Sequence, residues 1–284
     1  MKLRLFGQKW VRLKRILTIA VVTALSAITS VSCSRDKQVL VTEIGVSSPN
    51  RRAVQTSQAG KLYIQGQNQH LKGNSQAAIA SYSKAIDLNP EYSAAYKGRG
   101  LAYFDTGDKQ KAIADYNEAI RLSPNDPEAY NSRGNARASL GDNRGAIADY
   151  NEAIRLSPNY AQAYNNRANA RSTQGDREGA IADYNQAILL EPKYAIAYNN
   201  RGNARAAQGD KQGAITDYNQ AIRLNPNFGP AYNNRGNARA AQGDRRGALQ
   251  DLKQAAAIFQ SQDNNDLYQE VMNNIKELDN KSTL

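Results

Sequence analysis

Between Ala195 and Phe228 the chain reads AIAYNNRGNARAAQGDKQGAITDYNQAIRLNPNF. In the second half, Ala214, Ile215, Tyr218, Ala221 and Ile222 fall at i, i+1, i+4, i+7 and i+8. A helix gathers those positions into one apolar stripe backed by polar residues. The first half predicts another short helix, and Gly209-Asp210 punctuates between the two. Gly209 suits the left-handed conformation just past a helix end. Asp210 can cap the following helix by accepting a backbone N–H. Pro226 cannot continue a helix and pushes Asn225 to an extended shape. Gly202 and Ala214 lack bulk, which predicts that the two helices approach closely there.

The same text recurs every 34 residues. The closing prolines are Pro90, Pro124, Pro158, Pro192 and Pro226. The first-helix tyrosines are Tyr96, Tyr130, Tyr164, Tyr198 and Tyr232, and the second-helix tyrosines Tyr82, Tyr116, Tyr150, Tyr184 and Tyr218, with Leu252 last. Small residues recur at Gly100, Gly134, Ala168, Gly202 and Gly236, and alanines from Ala78 to Ala248 at the same spacing. A fixed period of about 20–50 residues marks a stacked array, in which each unit exposes an apolar stripe that the next one covers. Six units follow, 59–92, 93–126, 127–160, 161–194, 195–228 and 229–262. The sixth lacks the closing proline and runs on through Ala255 to Phe259. Residues 263–284 then predict a capping helix and tail, with Leu267, Val271, Ile275 and Leu278 on one face.

This pattern of aromatic, small residue, alanine, aromatic, alanine and proline resembles the tetratricopeptide repeat family. The resemblance implies an all-α, right-handed superhelical solenoid of helix-turn-helix units. The first unit matches least well, with Leu62 in the aromatic slot and Gln69 in a usual tyrosine slot. Two slots that are often leucine and tyrosine in the family hold arginine here: Arg99, Arg133, Arg167, Arg201 and Arg235 in one, Arg137, Arg171, Arg205 and Arg239 in the other. Aspartate recurs at Asp115, Asp149, Asp183, Asp217 and Asp251. Two readings stand. Either the arginine stems cover the tyrosines while their heads pair with the aspartates, or the arginines form an exposed ladder for phosphate or carboxylate.

In the family, the fifth and ninth slots of each first helix face a concave groove. Here they hold Asn131 and Asn135, Asn165 and Asn169, Asn199 and Asn203, Asn233 and Asn237. An amide carries an acceptor and two donors, matching a peptide unit's C=O and N–H. The row resembles the asparagine ladder in the superhelical repeat domain of O-linked N-acetylglucosamine transferase. It also lies near the carboxylate-clamp repeats of co-chaperones, but Lys97, beside Leu101 and Phe104, is the only cation in these slots, so a strict clamp is not expected. The rival reading is that the asparagines only solvate the inner helix face. Tyr160, Tyr194 and Phe228, just before their first helices, serve as groove lips or as packing between units. His70 is expected to be a solvated surface side chain.

Composition narrows the chemistry. The formal charge is +11, but residues 1–33 hold six bases and no acid, leaving 31 bases against 26 acids for the rest. That mild basicity offers no phosphate track, so nucleic acid is not expected as a partner. Cys33 is the only cysteine and His70 the only histidine. No internal disulfide or multi-cysteine metal site is available, and a histidine-dependent triad beyond residue 70 is excluded. No Gly-rich phosphate loop or metal constellation stands out. Neither enzymatic activity, nor a cofactor, nor a small-molecule substrate is expected.

The bases of residues 1–15 precede ILTIAVVTALSAITSV and then Cys33, the order of a secretory signal. Ser30 to Cys33 resembles the lipobox of bacterial lipoproteins, which implies lipidation of Cys33, although Ser30 stands where leucine or valine is usual. Cleavage after Ser32, or an uncleaved anchor near the lower limit of about 17 residues for spanning, are the alternatives. Each places the array beyond the inner membrane, tethered through 34–58, a linker rich in turn residues. The function expected is an extracytoplasmic, membrane-tethered scaffold that binds another protein's extended segment. The alternative is a structural, self-associating envelope component that uses its outer face.

Overall fold

The computed structural model describes residues 57–280 as thirteen α-helices, with no strand among the described residues. They are α1 (Gln58–Leu71), α2 (Ser75–Leu88), α3 (Ser93–Asp105), α4 (Lys109–Leu122), α5 (Pro127–Ser139), α6 (Asn143–Leu156), α7 (Ala161–Thr173), α8 (Arg177–Leu190), α9 (Ala195–Ala207), α10 (Lys211–Leu224), α11 (Gly229–Ala241), α12 (Arg245–Ser261) and α13 (Asn265–Asn280). Residues 1–56, with Cys33, the expected signal or anchor and all but the last two residues of the expected linker, lie outside the described residues; Ser57 caps α1 and Gln58 begins it.

Local chemistry sets each boundary. Gly209 sits at φ +92°, where a Cβ would be strained. Asp210 then accepts from the backbone N–H of Gly213 and caps α10. At its far end Asn225 is extended, with φ −139° and ψ 92°, ahead of Pro226.

Every helix packs on its neighbours in the chain. The odd-numbered helices from α1 to α11 also touch one another in sequence, more closely than the even-numbered ones do. The stack therefore bends with its first helices on the inner wall. Its core is a series of small clusters that straddle units: Ala146 and Tyr150 with Ala170, Ala180 and Tyr184 with Ala204, Ala214 and Tyr218 with Ala238. Gly202 explains why these tyrosines need a small partner. A Cβ there would lie 2.6 Å from Cε1 of Tyr218, so the position is kept bare for the ring rather than for Ala214. At the end of the array Leu252 replaces the tyrosine and joins Ala255, Ala256 and Phe259 against Val271 and Ile275 of α13. Leu267 and Leu278 flank them, so the expected capping face is the one that packs.

The arginines are structural. Arg201 donates through Nε and Nη2 to the two carboxylate oxygens of Asp217, at 3.0 and 2.6 Å, and through Nη1 to Asn185 of the preceding unit at 2.7 Å. Its guanidinium stacks over Tyr198, 5.4 Å from the ring centroid. Arg205 adds a third bond to Asp217 at 2.8 Å. The same set recurs around Asp149, Asp183 and Asp251. An aspartate left only 2% exposed, as Asp217 is, must be paired to stay charged. This geometry replaces the exposed arginine ladder, because the heads that would meet a phosphate are already spent.

Candidate functional site

The inner wall is built by α5, α7, α9 and α11. The first asparagine of each of the first three pairs does not line it as a free amide. Asn131, Asn165 and Asn199 are buried, Asn199 completely. They lie in the seam between successive first helices, where a third set of asparagines reaches them from the next unit. Asn166 donates to Asn131 at 3.1 Å, Asn200 to Asn165 at 3.2 Å and Asn234 to Asn199 at 2.9 Å. Asn165 and Asn199 in turn donate to Asn166 and Asn200, at 3.3 and 3.4 Å. One chain of side-chain amides thus runs from α5 to α11. It ends at Asn234; Asn233, in the same slot as Asn199 one unit on, has a buried Oδ1 with no donor among the described residues.

The second asparagine of each pair stays on the wall. Asn135, Asn169 and Asn203 accept from the hydroxyls of Tyr150, Tyr184 and Tyr218, at 2.8, 2.6 and 2.8 Å. Asn169 Oδ1 also accepts from Asn200 Nδ2, at 3.2 Å. Their NH2 groups meet no acceptor among the described residues and are not closed off from solvent. The three tyrosines are buried, and burial first, then the neighbouring aspartates, pushes their hydroxyls far above the usual phenol range. They remain protonated and keep donating. Asn237, the last of the row, faces the unit in which Leu252 replaces the tyrosine, so nothing fixes its amide in this way.

Lys97 is the clearest correction. Its ammonium donates to Asp126, the cap of α5, at 2.8 Å and to Glu128, in the first turn of α5, at 2.6 Å. Burial alone would lower its pKa, but Asp126 and then Glu128 reverse this and raise it. The cation is committed to its own chain and is not offered to a ligand carboxylate. His70 is also not a solvated surface residue: it is 7% exposed, with Nε2 2.7 Å from Asp105 Oδ2 on α3. Phe228 packs against Ala221 and Ala231, which makes it a contact between units rather than a lip. Tyr160 and Tyr194 are half-buried at the entries to α7 and α9.

The sixth-slot residues Asn166, Asn200 and Asn234 were not singled out in the sequence. Their signal was present in the repeated Tyr-Asn-Asn of units four to six.

These features define a class: a helical-repeat solenoid with a polar inner wall. The tetratricopeptide repeat model matches residues 66–107, 100–141, 134–175, 173–209 and 202–243. The chain belongs to the tetratricopeptide repeat family. Among solved structures it is similar to MamA, at 26% identity and a TM-score of 0.52, over 56% of this chain and 93% of MamA. It is similar to YrrB, described as a TPR protein with an unusual peptide-binding site, at 19% identity and a TM-score of 0.51, over 65% of this chain and 96% of YrrB. A tetratricopeptide repeat protein from Parabacteroides merdae superposes with a TM-score of 0.63 at 19% identity, over 90% of this chain and 98% of that one. No curated protein matches the chain.

Proposed function

We propose that this protein is a membrane-tethered, extracytoplasmic scaffold that holds an extended segment of a partner protein along its inner wall. The observation that carries the reading is the row of accessible amide NH2 groups on Asn135, Asn169 and Asn203, one per unit and each fixed by a tyrosine. Asn237 extends the row, while Asn131, Asn165, Asn199 and Asn233 build the wall behind it. The basic and apolar runs before Cys33 support the tether. A second reading, association through the outer face, draws on Leu189, which is 72% exposed on α8 at the position where four other units carry Asp87, Arg121, Arg155 and Arg223.

Photo-crosslinking in cells tests both. A photoreactive residue in place of Asn237 should join the protein to a partner segment, and one in place of Leu189 should not. Adducts to a second copy through position 189, with none from 237, would sink the groove reading in favour of the outer face. Incorporation of labelled fatty acid at Cys33 tests the tether, and its absence from the wild-type chain would leave the uncleaved anchor or the soluble exported form.

A further inference from the structure

The first unit exposes a face that every later unit buries. Along α1 and its C-cap, Lys61, Ile64, Asn68, Leu71 and Lys72 are exposed and fall at the spacing of one helix stripe. In the later first helices the slots of Lys61 and Asn68 hold alanine, from Ala95 to Ala231 and from Ala102 to Ala238. Those alanines are buried, the second set against the preceding unit, as Ala102 is against Tyr82. A lysine and an asparagine would crowd such a contact, so the stripe on α1 suits a different surface. It is also partly apolar: of the five exposed large hydrophobic side chains among the described residues, Ile64, Leu71 and Leu88 lie in this unit. The far end of the array carries the opposite charge. On α13, Asp266, Gln269, Asn273 and Glu277 form an exposed stripe, opposite the Val271 and Ile275 that pack on α12. This helix holds four acids against one base, Lys276, whereas α1 and its C-cap hold no acid.

We propose that α1 of one copy docks on α13 of a second copy, joining the arrays head to tail. Lys61 and Lys72 stand 11 residues apart, and so do Asp266 and Glu277. In a helix that is three turns, about 16 Å, along one face. None of the four makes an ion pair among the described residues. Charge selects this pairing over the others. Two α1 helices laid antiparallel would set Lys61 against Lys72, and two α13 helices would set Asp266 against Glu277, each a clash of like charges. Head to tail, both lysines meet a carboxylate at the matching spacing, and Ile64 and Leu71, between the lysines, leave water. Lys276, at the edge of the acidic stripe, leaves it negative. Because the two surfaces differ, each joined copy still offers an end, so the contact propagates along a row instead of stopping at a pair. A single helix pair is a small interface, which makes the row reversible. The inner wall takes no part, so this stands apart from the groove reading.

Sedimentation velocity of the full chain tests this, with a non-ionic detergent present for the apolar run from Ile16 to Val31. Species larger than a dimer should grow with protein concentration at about 0.1 M salt. They should shrink at about 1 M, where the Debye length falls from about 10 Å to about 3 Å. Lys61→Glu/Lys72→Glu makes both ends acidic, and Asp266→Lys/Glu277→Lys makes both ends basic. Each variant alone should need about tenfold more protein, or more, to associate. A one-to-one mixture of the two should associate as the wild type does, because every acidic end then meets a basic one. That recovery requires both variants to be folded, so damage to the array cannot mimic it. If either variant loses its helical circular dichroism, Lys61→Gln/Lys72→Gln and Asp266→Asn/Glu277→Asn replace the pair, and each should weaken association. A wild-type chain that stays monomeric overturns the proposal. So does association that survives the substitutions undiminished, which would place the contact away from the two ends. A mixture of folded charge-reversed variants that fails to associate overturns it as well.

Discussion

The hydroxyl of Tyr184, on α8, donates to Oδ1 of Asn169, on α7, at 2.6 Å. A core residue thereby sets the direction of a wall residue. Tyr184→Phe should keep the ring in its cluster and release the amide. The expected stability loss is about 0.5–1.5 kcal/mol, towards the lower end because Asn200 still donates to the same oxygen. The thermal midpoint of the full chain reads it, and a midpoint equal to wild type would show that the bond contributes nothing net.

The buried tyrosines also predict a pH dependence. Burial raises the hydroxyl pKa of Tyr82, Tyr150, Tyr184 and Tyr218 far above the usual phenol value of about 10, and that of Tyr63 to about 12. For a group whose folded pKa is raised, the stabilising contribution is fully present below the unfolded pKa. Above about pH 10 the unfolded chain gains by ionising while the folded chain does not. Stability should therefore be insensitive to these groups from neutral pH to about 10 and fall as pH rises further. Thermal midpoints measured across the alkaline range check this, and Tyr184→Phe should flatten the fall.

Arg201 and Arg155 make ion pairs that should respond differently. Arg201 holds Asp217, whose side chain is 2% exposed, whereas Arg155 meets Glu152 one helical turn away in water. Arg201→Gln takes two of the three arginine hydrogen bonds from buried Asp217 and leaves only that of Arg205, and should cost up to about 3–5 kcal/mol. Arg155→Gln should leave the thermal midpoint nearly unchanged. Equal effects would mean that Asp217 finds enough support from Arg205 alone.

Ala180 sits at 0% exposure among Ala168, Tyr184 and Ala204. Ala180→Leu should overpack that contact between units by about 1–3 kcal/mol. Gln174→Leu, at the exposed C-cap of α7, should cost little. Matching thermal midpoints for the two variants would contradict the packing described.

Much of this was legible in the sequence, for a definite reason. Gly209, Asp210 and Pro226 act on their own backbone, so their roles can be read locally. Tyr218 and Ala214 recur at a spacing that only one helix face satisfies. The pairing of Arg201 with Asp217 was one of two readings open, and the choice lay in how deeply the carboxylate is buried. What could not be read depends on contacts between units. Periodicity places Asn165 and Asn169 on one helix, but it does not say that Asn200 from the next unit covers the first, or that Tyr184 takes the oxygen of the second. The commitment of Lys97 is not legible locally, because its partners, Asp126 and Glu128, lie 29 and 31 residues away at the start of α5. His70 looked solvated because Asp105, which meets it, sits 35 residues away at the end of α3.

The end of the amide chain gives the sharpest contrast. Asn199 and Asn233 occupy the same slot one unit apart. Asn199 Oδ1 accepts from Asn234 at 2.9 Å, and its Nδ2 donates to Asn200 at 3.4 Å. Asn233 Oδ1 is buried with no donor. Leucine has a similar shape, so both substitutions mainly remove polarity. Asn199→Leu should strand Nδ2 of Asn234 and cost about 1–3 kcal/mol. Asn233→Leu removes an acceptor that is already unpaid in hydrogen bonds, and should be neutral or stabilising by up to about 1 kcal/mol. Thermal midpoints of the two single variants separate these outcomes. A loss at Asn233 as large as that at Asn199 would mean that its oxygen has a donor, and that the chain of amides does not stop at the capping helix.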